Sequence, residues 1–181
     1  QACKEAGIKY YELAIGFDAM AVVVNPKNDW MKEATVADLK KMWEPSAQGK
    51  ITKWNQINPA WPDQPLKLYG AGSDSGTFDY FTEAVVGKAK SSRGDYTASE
   101  DDNTLVTGVA NDKFALGYIP FSYVDANKKK LKVLGVIGGD KSPTKSAVLP
   151  SKESVENGTY FPLSRPLFIY VSETAHKKQE V

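Results

Sequence analysis

The stretch Gly70-Ala-Gly-Ser-Asp-Ser-Gly-Thr77 constrains this chain more than any other. A short apolar run, Leu66 to Tyr69, precedes it. Phe78, Phe81, Ala84 and Val85 follow at helical spacing, and Gly87 closes that segment. The order predicted is strand, small-residue loop, helix. Glycines let the backbone turn sharply and approach a ligand closely. The first N–H groups of a helix have no intrahelical partner and carry the positive end of its dipole. Ser73, Ser75 and Thr77 add hydroxyl donors. Such a loop suits a small tetrahedral oxyanion. It also suits a tight turn that Ser75 merely caps.

Three sharper motifs fail on spacing. A Walker A loop needs Gly-x-x-x-x-Gly-Lys-Ser/Thr, but Thr77 follows Gly76 directly and the lysine is missing. The nucleophile elbow Gly-x-Ser-x-Gly would need serine where Asp74 stands. Asp74-Ser75-Gly76 is reminiscent of a trypsin-like serine, yet the chain has one histidine, His176, in a polar tail. A serine hydrolase using Ser75 therefore remains the alternative from another functional class, and a site for sulfate remains the alternative within the same class.

The remainder alternates in the same way. Tyr10 to Ile15 and Ala19 to Asn25 read as two strands, the second stopped by Asn25-Pro26. Thr35-Val-Ala-Asp38 reads as a capping box with Asp in the third position, opening a helix with Val36, Leu39, Met42 and Trp43 that Pro45 ends. Lys50 to Pro65 is irregular and carries Trp54, Trp61 and three prolines. Trp43, Trp54 and Trp61 read as packing residues. Lys88 to Thr97 is polar and loop-like. Ser99 to Asn103 starts a helix that continues through Leu105, Val106 and Val109, with Asp101 and Asp102 as caps. Phe114 to Ile119 and Leu131 to Ile137 are strands, Phe121 to Asn127 and Ser151 to Asn157 short helices, and Leu167 to Val171 a last strand. The pattern predicts an α/β fold, a mixed and mainly parallel sheet flanked by helices.

Composition narrows function. Lys plus Arg total 23 and Asp plus Glu 22, a net charge of +1, so there is no general attraction to nucleic acid or membranes. Any bound anion must be held by directed hydrogen bonds. No run reaches the roughly 18 apolar residues of a membrane span. A single histidine speaks against His-based catalysis and His-rich metal sites, and no cofactor is expected. The first residues, Gln-Ala-Cys-Lys-Glu-Ala-Gly7, read as the end of a helix, so the chain is expected to be cut or processed. Cys3, the single cysteine, has no partner within it.

Tyr69-Gly-Ala-Gly-Ser-Asp-Ser-Gly-Thr-Phe-Asp-Tyr-Phe-Thr-Glu83 resembles the signature of the PstS-type phosphate-binding proteins of bacterial phosphate ABC transporters, in the SphX-like branch. Ala21-Val-Val-Val-Asn-Pro-Lys-Asn-Asp-Trp30, Asp95-Tyr-Thr-Ala-Ser-Glu-Asp-Asp-Asn103, Ala115-Leu-Gly-Tyr118 and Asn157-Gly-Thr-Tyr-Phe-Pro-Leu-Ser-Arg-Pro-Leu167 agree with it in order. The resemblance implies a lobe of a type II periplasmic binding protein, a non-enzymatic receptor outside the cytoplasmic membrane, periplasmic or extracellular and in its full length open to membrane anchoring. Its partners would be inorganic phosphate, a membrane ABC permease and the missing lobe-one segments of its own longer chain, with no nucleic acid. It divides the chain into a lobe-one remnant at 1–16, phosphate-binding lobe two at 17–166, and a second remnant at 167–181. Ser75, Gly76 and Thr77 match the family's anion loop position by position, with Ser73 and Asp74 beside them. The arginine that commonly stands four residues before the loop serine is Ala71 here, so the resemblance passes the gripping role to Arg93, with Arg165 a weaker candidate. Asp74 would orient Arg93 or accept a hydrogen bond from protonated phosphate. Cys3 would pair with a cysteine of the absent N-terminal part.

Overall fold

A computed structural model of the chain describes residues 5–173. Cys3 and His176, and the expectations attached to them, lie outside the described residues.

The strand expected at Tyr10–Ile15 and the one expected at Ala19–Asn25 are a single strand, β1, Tyr10–Val24. Gly16 and Asp18 are poor strand formers, and local propensity alone breaks the strand there. Pairing overrides that preference. The last strand, β8 (Ser164–Ser172), runs antiparallel beside β1 from Tyr10↔Ser172 to Ala19↔Ser164, covering Phe17↔Pro166 and Asp18↔Arg165. The register slips once, between Ala14 and Gly16, which is how a strand absorbs an extra residue.

The two halves of β1 live in different surroundings. From Ala19 to Val24 every residue is buried. Met20, Val22 and Val24 belong to one core cluster, Ala21 and Val23 to the other, so both faces of the strand are covered. A doubly covered strand reads as an unbroken apolar run instead of an alternation. The first half forms a two-stranded ribbon with β8, and Leu13, Ile15, Phe17 and Ile169 on it are exposed.

The central sheet has the order β4-β3-β5-β1-β6, with β3 at Lys67–Ala71, β4 at Thr97–Ser99, β5 at Ala115–Pro120 and β6 at Lys132–Val133. β3 is parallel to β4 and β5, and β1 is antiparallel to β5 and β6. Four of the five strands thus point one way, and β1 alone runs against them. The single strand expected over Leu131–Ile137 is divided. β6 stays in the sheet, while β7 (Gly135–Ile137) pairs with β2 (Glu33–Thr35) in a small parallel sheet. Leu134 between them donates its N–H to the Val22 carbonyl at 2.9 Å.

Helix α1 (Val36–Trp43) starts with the expected capping box: Asp38 N–H donates to Thr35 Oγ1 at 2.9 Å and Thr35 N–H to Asp38 Oδ2 at 3.3 Å. It lays Leu39, Met42 and Trp43 on one face of the sheet together with Phe78, Phe81 and Val85. There Phe81 stacks on Tyr118 of β5, centroids 3.7 Å apart, and Trp43 stands edge-on to both. Helix α3 (Asp102–Asn111) covers the other face with Leu105, Val106 and Val109. Helices α2 (Gly76–Phe81), α4 (Ser122–Asn127) and α5 (Lys152–Glu156) are short.

Arg93 is a keystone of this layer. It is 5% exposed, inside a loop that reads as polar and solvated. Its Nε and Nη2 donate to the two oxygens of Asp95 at 2.5 and 2.9 Å, and its Nη1 to the Met42 and Ile51 carbonyls at 3.1 and 2.9 Å. One side chain therefore ties the 88–96 loop to the end of α1 and to the irregular 50–65 segment. The bond from Arg93 is the largest influence on the Asp95 carboxyl and takes it from 3.8 to about 2. Since the folded value lies below the unfolded one, this pair stabilises the fold above about pH 4 and loses its effect as pH falls toward 2. Arg93→Ala should destabilise the protein by about 2–4 kcal/mol at neutral pH, mostly by stranding two carbonyls. Urea melts at neutral and acid pH check this, with the gap between parent and variant narrowing in acid. A gap that stays constant would show that the Asp95 pair contributes nothing.

Candidate functional site

Two parallel strands end side by side. Ala71, the last residue of β3, pairs in register with Ser99, the last of β4. From β3 the chain turns through Gly72–Ser75, where Ser75 N–H donates to the Gly72 carbonyl at 3.1 Å, and enters α2 (Gly76–Phe81). α2 continues as a π-helical turn, Thr82–Val86, that ends on Gly87 with φ +94. From β4 the chain turns through Glu100 and Asp101 and enters α3, with Asp101 accepting the Asn103 N–H at 2.9 Å. Two helix N-termini thus stand at the carboxyl edge of the sheet, where open α/β sheets receive their ligands.

The floor of this edge is held by phenols. Tyr96 and Tyr118 both donate their hydroxyls to the Ala71 carbonyl, at 2.8 and 3.4 Å. Burial is the main cause that raises both phenols above their ordinary value, so they stay protonated donors. One glycine is required by contact: a Cβ on Gly70 would collide with the buried Tyr118 ring, whereas one on Gly72 would meet the tip of the exposed Glu100 side chain, which can swing away.

At the loop itself, Ser75 is extended (φ −85, ψ 134) and its Oγ accepts the Thr77 N–H at 3.1 Å. The capping role is therefore real, and it leaves the Ser75 hydroxyl proton free to donate outward. The Gly76 N–H and the Thr77 hydroxyl have no partner among the described residues. Ser73, Asp74 and Gly76 are exposed, Ser75 and Thr77 half-buried, so the loop opens to solvent. What the arrangement offers is a short arc of neutral donors backed by a helix dipole. It carries no cation and no activated nucleophile: the Ser75 oxygen accepts a backbone bond, and the described residues contain no histidine. No group of residues among those described could hold a metal ion.

The sequence-predicted residues are only partly brought together. Ser73 to Thr77 form the loop. Arg93 does not fit the gripping role expected of it, because four of its five N–H groups are spent on Asp95, Met42 and Ile51 and a bidentate grip needs two. For the same reason Asp74 does not orient Arg93, since Asp95 does. Arg165 lies at the base of the ribbon, 3.3 Å from Asp18 and with its guanidinium 4.0 Å above the Tyr80 ring, a junction contact. Asp101 caps α3 as expected. Sequence reasoning missed Glu100, whose carboxylate packs against Gly72, and the protonation bias of Asp102, raised first by burial and then by Asp101 and Glu100. The run Glu100-Asp-Asp102 between a strand and a helix was the signal available.

The chain matches the family model of the PBP superfamily domain over residues 1–180. It is 54% identical over 172 residues to Protein SphX of Synechocystis, covering 95% of this chain and 50% of that protein. It is 36% identical over 183 residues to the phosphate-binding protein PstS of Staphylococcus haemolyticus, covering 100% of this chain and 54% of that one. The chain thus spans about half the length of the curated relatives it matches. A crystal structure of a possible phosphate binding protein from Planctomyces limnophilus is 46% identical and superposes with a TM-score of 0.90, over 98% of this chain and 61% of that one. Another, of a protein from Clostridium perfringens assigned as a phosphate ABC transporter substrate-binding protein and solved with bound phosphate, is 29% identical with a TM-score of 0.65, over 95% and 62%. Fold and sequence agree: the chain belongs to the PBP superfamily and is of the PstS/SphX type.

Proposed function

We propose that the Ser73–Thr77 loop binds inorganic phosphate outside the cytoplasmic membrane, in a receptor that delivers it to a membrane ABC permease. The observation that carries this reading is the free donor set at the N-terminus of α2, held at the carboxyl edge of the sheet. Further support comes from relatives named for phosphate binding. The Gly76 N–H and the hydroxyls of Ser75 and Thr77 donate to phosphate oxygens, with Ser73 at the rim. Asp74, exposed and next to the loop, accepts from protonated phosphate. Sulfate carries no proton at neutral pH and would leave that acceptor unpaired, so it binds more weakly. No bond is made or broken in this role, and no helix among the described residues is long and apolar enough to cross a membrane.

We further infer that residues 17–166 are one lobe of a two-lobed receptor and that the ribbon beyond it, residues 10–16 and 167–172, belongs to the other. The exposed Leu13, Ile15 and Ile169 of that ribbon support this, as does the chain's half coverage of its relatives. A loop open to solvent and without a free arginine supplies one wall of a phosphate site. The remaining donors then come from the second lobe, whose closure also expels water.

Two outcomes follow. A complete receptor with micromolar affinity binds with about −8 kcal/mol, and each hydrogen bond to a charged group contributes roughly 1.5–3 kcal/mol. Losing two or three leaves this 181-residue chain with affinity on the order of millimolar, about −4 kcal/mol. Phosphate titration checks this, and micromolar binding by the monomer would show that one wall suffices. In the same titration Thr77→Ala should weaken binding by roughly 1–3 kcal/mol and Thr77→Ser should retain most of it. Equal affinity in parent and Thr77→Ala removes the loop from the site.

A further inference from the structure

The chain enters the Ser73–Thr77 loop from β3 and leaves it into α2, so whatever fixes those two ends sets where the loop's donors point. Tyr118 touches both. Its ring stacks on Phe81 of α2 with centroids 3.7 Å apart and leaves no room for a Cβ on Gly70 of β3. Its hydroxyl donates to the Ala71 carbonyl at 3.4 Å. Tyr96 donates to the same carbonyl at 2.8 Å. The Tyr96 ring stands edge-on to Trp43, centroids 5.1 Å apart, and Trp43 stands edge-on to Phe81 and Tyr118 in turn.

A buried phenol needs an acceptor, and that need alone accounts for Tyr80 and Tyr160, which donate to the Pro162 and Met20 carbonyls at 2.8 and 2.9 Å. It does not account for two phenols from different elements converging on one carbonyl. Tyr96, moreover, is delivered there by its own segment. Arg93 N–H donates to the Trp43 carbonyl at 3.0 Å, and the Arg93 guanidinium grips Asp95, so the residues just before Tyr96 are held against the end of α1. The shared carbonyl belongs to the last residue of β3, where the chain leaves the sheet. The peptide unit is planar, so turning the Ala71 carbonyl would break both bonds and carry Gly72 with it.

The loop carries no cation, so its hold on an anion depends on the aim of neutral donors, and hydrogen bonds weaken steeply off line. On the reading of this loop as the phosphate site, we propose that Tyr96 and Tyr118 are positioning residues for it. Their hydroxyls fix the Ala71 peptide and thereby aim the Gly76 N–H and the hydroxyls of Ser75 and Thr77, acting through the main chain.

The test is phosphate titration of the 181-residue chain, followed by the Gly76 and Thr77 amide signals, in the parent, Tyr96→Phe, Tyr118→Phe and the double variant. Each substitution keeps the ring and removes only the hydroxyl. Tyr96→Phe should weaken binding by about three- to tenfold, and Tyr118→Phe by less, since its bond is longer. Leu131→Val, a buried change just before β6 at the opposite end of the sheet, controls for lost stability. It should lower the melting temperature and leave phosphate affinity as in the parent. In the phosphate-free chain, the Ser75 and Thr77 amides should exchange with solvent faster in the double variant than in Leu131→Val. Parent-like affinity in the double variant, or equal weakening by Leu131→Val, overturns the positioning role; where Thr77→Ala has weakened binding, the loop itself stands as the site. Equal binding by the parent and Thr77→Ala removes both.

Discussion

Between Met20 and Val24 the main strand has protein on both faces and β5 along one edge, while its other edge bonds in turn to Leu163, to Leu134 and, at Val23 and Val24, to β6. The cores lie on opposite faces of this sheet, with Phe121 packed against both. Fully burying a Val or Met side chain stabilises by about 1.5–3 kcal/mol, and the strand does so with alternate residues on alternate faces. The register Val24↔Leu116 to Met20↔Pro120 then places β5, which places β3, which places β4. A one-residue slip would exchange the two faces of the strand and misfit both cores. The position of the Ser73–Thr77 loop is a consequence, because Ala71 and Ser99 end together only in that register.

The same strand links the lobe to the ribbon. Past Ala19, β1 loses its cover and keeps only β8 as a neighbour. An isolated two-stranded ribbon is marginal in water. Here its base is anchored: Arg165 pairs with Asp18 and lies over Tyr80, and the Tyr80 hydroxyl donates to the Pro162 carbonyl at 2.8 Å. The exposed apolar side chains beyond that anchor are what a second lobe would cover. On the two-lobed reading proposed above, the open loop and the uncovered ribbon would both face the same second lobe.

Features governed by neighbours in sequence were legible in advance. The capping box at Thr35 and Asp38, the Ser75 cap, the Asp101 cap and the Gly87 terminator are local devices, and each stands where the residue pattern places it. The core face of α2 follows from helical spacing. Features governed by distant partners were not legible. Nothing around Gly16 announces that β8, some 150 positions later, holds the strand together. The structural role of Arg93, which the resemblance assigned to gripping the anion, was hidden because Met42 and Ile51, whose carbonyls it binds, lie 51 and 42 positions away. Its acidic partner was two residues ahead, and the pairing Arg93–Asp95 was the clue that the guanidinium was already committed. Glu100 was hidden in the same way, since only the parallel pairing of β3 with β4 brings it to Gly72.

The central claim is that phosphate is received by the free donors at the start of α2. Amide-resolved NMR of the chain during titration with phosphate, and separately with sulfate at matched ionic strength, tests it most directly. The account predicts saturable shifts of the Gly76 and Thr77 amides with phosphate, and weaker ones with sulfate. Shifts concentrated elsewhere, with Gly76 and Thr77 unmoved, would contradict it.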